Sequence, residues 1–138
     1  MRRWTLVLFL GLLTLLPGCG LGGGGEPERI RSSVVPVSGK LLQPDGRPVA
    51  NGWVIFHPKD PPGNEANAAT EADGTFHLST FGKEDGAVPG RYVVTVEKHP
   101  KARTNPAIPK SYSSATTSPL TVEVKKDGSN DLGDISLK

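Results

Sequence analysis

The stretch from Val35 to Pro58 limits the fold of this chain more than any other. It reads V-P-V-S-G-K-L-L-Q-P-D-G-R-P-V-A-N-G-W-V-I-F-H-P, and its alternation of apolar and polar residues is typical of β-strands that bury one face. Pro44 presets φ and Gly46 accepts a positive φ, so Pro44-Asp45-Gly46 predicts a turn between two strands. The pattern predicts an all-β class, but it indicates no activity.

Similar segments recur along the chain and predict a seven-stranded Greek-key β-sandwich of immunoglobulin-like type. Turn signals are spaced about ten residues apart, as in such sandwiches, and 17 glycines and 13 prolines leave segments too short for ordinary helices. The Asp73-Gly74 turn predicts a hairpin between the third and fourth strands. The predicted strands are 35–42, 52–57, 66–72, 75–80, 91–97, 119–125 and 132–137.

Alternation also predicts which side chains point into the core. Trp53, Ile55 and His57 of the second strand are expected to point outward, which leaves an unusually apolar outer face. The fifth strand is expected to be central. The side chains expected to point inward are Val35, Val37, Leu41, Val54, Phe56, Phe76, Leu78, Tyr92, Val94, Val96, Leu120, Val122 and Val124.

The N-terminus carries the features of an export signal. Arg2 and Arg3 precede an apolar run over residues 4–16, which is too short to span a bilayer comfortably. The run ends in Leu16-Pro17-Gly18-Cys19, which resembles the bacterial lipoprotein signal, in which the cysteine is lipidated and becomes the first residue. The alternative is an ordinary signal peptide with a chance cysteine, but Cys19 is the only cysteine of the chain and so cannot form a disulfide within it.

Three regions follow from these signals. Residues 1–18 are predicted to be a lipoprotein signal peptide, residues 19–33 a lipidated Cys19 with a glycine-rich tether, and residues 34–138 the folded domain. A tether of this composition has a mean reach of about 20 Å. Because Gly20 and not aspartate follows Cys19, the usual sorting pattern of such lipoproteins favours the outer membrane.

The charge balance bears on possible partners. The whole chain has 16 basic and 14 acidic residues, but removal of Arg2 and Arg3 with the signal leaves 14 of each. A neutral domain is not typical of nucleic-acid binding. The expected partner is the membrane through Cys19, together with an unidentified envelope protein or glycan.

Five blocks of the sequence resemble a known family. They are V-P-V-S-G-K-L, D-G-R-P-V-A-N-G-W-V-I-F, A-D-G-T-F-H-L, V-P-G-R-Y-V-V-T-V and I-P-K-S-Y-S-S-A-T-T-S-P-L-T-V-E-V. In this order they resemble small bacterial lipoproteins with a carboxypeptidase regulatory-like, transthyretin-like sandwich. The resemblance covers nearly all of residues 34–138 and implies that fold and a surface location, but it transfers no catalytic residues.

No constellation in the sequence predicts an enzyme or a cofactor. Three histidines accompany serines and aspartates, but there is no Gly-x-Ser-x-Gly elbow and no helix to position a base. His57 and His77 can supply two metal ligands if they meet across strands, but no third ligand is evident at metal-site spacing. The segment from Asp127 to Asp131 lacks the distal glutamate of a calcium loop and is interpreted as a turn.

One covalent hypothesis concerns Lys40 in the first strand and Asp134 in the last. An isopeptide bond between them needs a buried lysine beside a carboxylic acid. Because alternation places Lys40 outward, the expectation is a solvated lysine at the strand surface.

Three functions remain open, and the first two use outward aromatic or apolar side chains. The first is a non-enzymatic interaction or structural module whose surface includes Trp53, Ile55 and Val93. The alternative is a carbohydrate-binding module in which Trp53 and Tyr112 stack on sugar rings. The segment 99–118, which contains three prolines, is expected either to cover Trp53 and Ile55 or to extend their surface. A third reading is a stability domain for an enzyme encoded elsewhere.

Replacement of Cys19 tests the anchor. Cys19→Ser removes the site of lipidation, and we expect the protein to move from the membrane fraction to the soluble fraction, because two or more acyl chains hold a protein firmly at the bilayer. Membrane fractionation of both forms measures this. Unchanged attachment of the variant would refute the lipid anchor.

Overall fold

The computed structural model describes residues 33–138, and this part of the chain is all-β. It contains no α-helix, and a single turn of 3₁₀ helix spans Lys110–Ser113. The signal peptide, Cys19 and the tether up to residue 32 lie outside the described residues. The strands are β1 (Val37–Leu42), β2 (Gly52–Pro58), β3 (Ala66–Ala69), β4 (Thr75–His77), β5 (Gly90–Lys98), β6 (Thr121–Val124) and β7 (Asn130–Ser136).

The strands form two sheets, one of three strands and one of four. The order is β4-β1-β7 in the first sheet and β3-β2-β5-β6 in the second. All pairs are antiparallel except β1 with β7, which run parallel. The predicted central position of β5 is confirmed, because β5 lies between β2 and β6.

The core lies between the two sheets, and the alternation predicted it well. Phe56 is fully buried; its ring centroid is 6.3 Å from that of Phe76 in the opposite sheet and 5.7 Å from that of Tyr92 in its own. Val35, Leu120 and Val122, also predicted to point inward, are only partly buried against this core. The other predicted inward residues that are fully or almost fully buried are Val37, Leu41, Val54, Leu78, Val94, Val96 and Val124.

The predicted hairpin between the third and fourth strands is present only in part: the Glu71 N–H donates to the Thr75 carbonyl across the turn at 2.8 Å, but each strand has its main partner elsewhere. The tight turn exists, with Gly74 at a φ of 84°, but β3 ends at Ala69 and pairs with β2, whereas β4 pairs with β1 in the other sheet. Beyond this turn, a bridge between Asn67 and Ser79 links the two segments. The reason is that the small Ala66 and Ala68 fill the core from one sheet while Phe76 fills it from the other, so the chain crosses the sandwich at the turn.

The parallel pair of β1 and β7 closes the three-stranded sheet, and it contains a bulge. Ser38 lies opposite Asp131 and Lys40 opposite Asp134, so the register shifts by one residue between them. Gly133 has a φ of 62°, which glycine adopts without steric cost. Asn130 fixes the start of β7, because its side-chain oxygen accepts from the Lys125 N–H at 2.8 Å and its amide donates to the Lys125 carbonyl at 2.9 Å.

Truncation of the central aromatic tests the core. We expect Phe56→Ala to lower the free energy of unfolding by about 3 to 5 kcal/mol, because the variant loses transfer energy and leaves a cavity between the sheets. His77→Ala, on the exposed face of β4, is the control and should change it little. Urea unfolding followed by far-ultraviolet circular dichroism measures both, and equal losses would contradict this assignment of the core.

Candidate functional site

The outward side chains of β2 are half-buried and do not form an open apolar patch. Trp53, Ile55 and His57 point away from the core as predicted. Trp53 lies opposite Ala69 of β3 and Ile55 lies opposite Thr95 of β5. The neighbouring strands therefore cover part of each side chain, and the expected exposed surface of Trp53, Ile55 and Val93 is reduced to its edges.

A groove opens where this cover is thinnest, at the edge strand β3. The residue beside the indole is Ala69, whose methyl group cannot cover it. The resulting concavity has a volume of about 320 Å³, and we call it the Trp53 groove. Its lining residues include Trp53, Asn67, Ala69, Glu71, His77, Ser79, Lys83 and Glu84.

The far side of the indole is held by the first residue after β5. The His99 ring lies edge-on to Trp53, with ring centroids 5.1 Å apart and an interplanar angle of 68°. His99 is itself positioned, because its backbone N–H donates to the Asn51 carbonyl at 2.9 Å and its Nδ1 accepts from the Lys101 N–H at 3.1 Å. The orientation of Trp53 is thus set before any ligand arrives, which lowers the entropic cost of binding.

Tyr112 is a core residue, and its prediction as a stacking platform is wrong. It lies in the 3₁₀ turn with only 4% of its surface exposed. Its hydroxyl oxygen accepts from the Lys138 N–H at 3.0 Å. The sequence feature that indicates burial of Tyr112 is its spacing from Ile108. The two residues are four apart, and both pack on the core.

The segment 99–118 packs mainly on the body of the sandwich. The Ala107 N–H donates to Gln43 Oε1 at 3.1 Å, and Ser118 Oγ donates to the Val94 carbonyl at 2.5 Å. Asn51 Nδ2 donates to Thr104 Oγ1 at 3.1 Å. Within this segment, His99 is the residue that packs against Trp53. The segment therefore contributes to the site through His99.

His57 and His99 have side-chain contacts, and His77 lies in a different sheet from His57. His57 Nε2 lies 2.9 Å from Thr95 Oγ1, and its Nδ1 lies 3.2 Å from Glu65 Oε2. His77 is on the outer face of the other sheet, so the hypothesis of a metal site shared with His57 is wrong. Among residues 33–138 there is no group of three or more His, Cys, Asp or Glu side chains arranged to hold a metal ion.

Lys40 and Asp134 are brought side by side, but not in a buried site. The two residues are direct partners across the parallel pair, and Asp134 is exposed. Their surroundings fit the solvated lysine that alternation predicts and not the buried environment that an isopeptide bond requires.

One wall of the Trp53 groove is a loop over residues 79–86, ordered by a single carboxylate. The Asp85 side chain accepts from the backbone N–H groups of Thr80 at 2.8 Å, Phe81 at 3.0 Å and Gly82 at 2.8 Å. Thr80 Oγ1 donates to the Gly86 carbonyl at 2.7 Å. Sequence reasoning assigned residues 75–80 to the fourth strand and treated the residues after it as a connection; the nearest signal was the acidic pair Glu84-Asp85 before Gly86.

The same hydrogen bonds set the acidity of Asp85. Partial burial raises the pKa of its carboxyl group, but the three backbone N–H donors lower it, and the net pKa lies below the usual aspartate range. The charged form of Asp85 therefore stabilises the loop at neutral pH.

Comparison with known proteins does not identify the function of this site. No protein-family model matches the chain, and no curated protein matches it. A crystal structure of a 9R-lipoxygenase from Cyanothece PCC8801 is similar over 76% of this chain and 16% of that chain, with 13% identity and a TM-score of 0.42. Residues 33–138 contain no helix long and apolar enough to cross a membrane.

Substitution of Asp85 tests the loop and its pH dependence. We expect Asp85→Asn to lower the free energy of unfolding by about 1 to 3 kcal/mol at pH 7, because the amide cannot satisfy three N–H donors as a carboxylate does. Since the folded pKa lies below the unfolded value of about 3.9, this contribution is fully present above pH 4 and is lost as the pH falls through the folded pKa.

Urea unfolding at pH 7 and at lower pH measures the difference between the two proteins. Asp127→Asn, in an exposed turn, is the matched control and should have little effect. A difference between wild type and Asp85→Asn that stays constant from pH 7 to pH 2 would contradict the role of the carboxylate.

Proposed function

We propose that this protein is an exported lipoprotein of the cell envelope, anchored through Cys19, whose β-sandwich is a non-enzymatic interaction module. The anchor is supported by the Arg2-Arg3 start, the apolar run and the Leu16 to Cys19 motif. The residue after Cys19 is glycine, which favours the outer membrane as the location.

The finer description of the fold is part of this proposal. A seven-stranded Greek-key sandwich of transthyretin-like type is supported by the path of the chain, which crosses between the sheets after β1, β3, β4 and β6. The resemblance of five sequence blocks to carboxypeptidase regulatory-like domains supports the same topology. Domains of this kind present loops and sheet faces on a rigid body, which suits binding.

The Trp53 groove is the observation that carries the interaction function. An indole held edge-on by His99, beside a small residue at a sheet edge, is an apolar anchor with a polar rim, and such side chains dominate binding energy at interfaces. A partner segment that enters the groove meets the Asn67 amide and the charged groups of Lys83 and Glu84.

The proposal of a non-enzymatic role is supported by how several titratable groups of residues 33–138 are used. Both ring nitrogens of His57 have partners, Asp85 orders a loop, and Asp60 pairs with Arg91 through two hydrogen bonds of 3.0 and 2.9 Å. A nucleophile with an adjacent base, which covalent catalysis requires, is not formed by these groups.

A carbohydrate-binding module is the second candidate, and the groove lining favours it. Sugar rings stack on an indole and offer hydroxyl groups to amides and charged side chains, and Asn67, Glu71, His77 and Lys83 provide such groups around Trp53. Because Tyr112 is buried, the carbohydrate-binding candidate relies on Trp53 for stacking against a sugar ring.

Truncation of the indole tests the interaction function. We expect Trp53→Ala to reduce recovery of the partner several-fold in pull-downs with the intact lipoprotein, while the melting temperature falls by less than about 4 °C, because the side chain is only half-buried. Ile55→Ala is the matched control, since Ile55 lies in the same outward row of β2 but does not line the groove.

The same three proteins on a glycan array distinguish the two candidates. Binding to a glycan that is lost in Trp53→Ala and kept in Ile55→Ala would favour the carbohydrate-binding module. A large loss of stability in Trp53→Ala with unchanged recovery of the partner and no glycan binding would remove the groove from both proposals.

A further inference from the structure

Phe81 is exposed at the tip of a loop that is otherwise well ordered. It is the one large apolar side chain among residues 33–138 that is classed as exposed, with 40% of its surface accessible. Asp85 fixes the loop backbone through the N–H groups of three successive residues, beginning at Thr80. The backbone at Phe81 is therefore fixed. A single exposed apolar residue is ordinary on a protein surface, so what Phe81 indicates depends on the groups around it.

The Phe81 loop lies beside the place where the described chain begins. Val35 and Ala87 form an isolated bridge, with N–H to carbonyl distances of 2.9 and 3.0 Å in the two directions. Gly86 has a φ of 103°, and a Cβ there would overlap the Val35 carbonyl oxygen. The chain that leads back from Val35 toward Cys19 thus starts from the same end of the sandwich as Phe81.

Strand register shows which other loops share this end. Pro58 lies opposite Tyr92, and Gly90 lies opposite Val124. The loop after β2 and the turn after β6 therefore lie at the end where β5 begins. We call this end, formed by residues 33–36, 58–65, 78–89 and 125–129, the tether end.

The tether end also carries exposed amines. They belong to Lys59, Lys83, Lys125 and Lys126. The same segments carry five acidic side chains, so the tether end has no excess of positive charge. Three of the five have partners: Asp60 is paired with Arg91, Glu65 lies beside His57, and Asp85 is bound by backbone N–H groups. Glu84 lies 3.9 Å from Lys83, and Asp127 is the remaining exposed carboxylate of the turn.

We propose that the tether end rests on the bilayer, with Phe81 inserted between lipid headgroups and the lysine amines near their phosphates. This inference depends on the proposed lipid anchor at Cys19. An aromatic ring on a rigid tip suits the boundary between headgroups and acyl chains, and amines suit the anionic phosphates beside it.

Attachment through the tether allows a weak contact to orient the domain on the bilayer. One phenyl ring and a few amines do not hold a free protein on a membrane, because a protein in solution loses translational freedom when it binds. Only residues 20–32 separate the proposed anchor at Cys19 from the described domain, so an anchored protein has a high effective concentration at the surface. The contact at Phe81 then sets the orientation of the domain and adds little to its attachment.

Quenching by spin-labelled lipid measures this orientation in the full lipoprotein. The probe is a nitrobenzoxadiazole dye on Gly82→Cys, because a Cβ at Gly82 meets only Asp85 side-chain atoms, at 3.6 and 3.9 Å, and because lipidation uses the thiol of Cys19. The control carries the dye on Lys101→Cys, an exposed position beyond the C-terminal end of β5. Each protein is reconstituted in phosphatidylethanolamine and phosphatidylglycerol vesicles that contain lipid with a nitroxide near the headgroup.

We expect quenching at position 82 to exceed quenching at position 101 at least threefold. Phe81→Ser in the Gly82→Cys protein should reduce quenching to the level of the control, while flotation with the vesicles and the melting temperature stay unchanged. Equal quenching at the two positions, or quenching that Phe81→Ser does not alter, in protein that floats with the vesicles would overturn this proposal and leave the anchor intact. Protein that does not float would overturn the anchor and this contact together.

Discussion

The contact of Phe56 with Phe76 across the two sheets is the interaction on which the other features depend. A sheet with one apolar face is unstable in water until a second layer covers it, and these rings, with Tyr92 beside them, fill the space between the layers. Because the core is made from both sheets at once, the chain must cross between them. The turn at Gly74 and the turn over residues 125–129 are two of these crossings.

The edges of the sandwich follow from the same constraint. Exposed strand edges can pair with other chains, and short strands and bulges reduce that hazard. β3 has four residues and β4 has three, and β7 carries the bulge at Gly133 and exposed carboxylates at Asp131 and Asp134. The segment 99–118 adds Ile108 and Tyr112 to the core, so that a long connection contributes to stability as well as to the Trp53 groove.

The surface that remains for function is small and lies at the edges of the core. The Trp53 groove exists because Ala69 is too small to cover the indole, and its opposite wall exists because Asp85 orders the loop over residues 79–86. That loop also carries Phe81 at the tether end. The proposed partner site and the proposed membrane contact thus share the loop over residues 79–86.

Alternation in the sequence by itself determined the all-β class, most strand positions and the inward side chains, because a strand that buries one face records that face at every second residue. It also placed Trp53 outward. Only the tertiary structure decided that β4 leaves β3 for the other sheet, that β7 runs parallel to β1, that Tyr112 is buried, and that Phe81 lies beside the start of the domain. Strand partners and the burial of loop residues depend on contacts between segments distant in sequence, and local patterns carry no record of them.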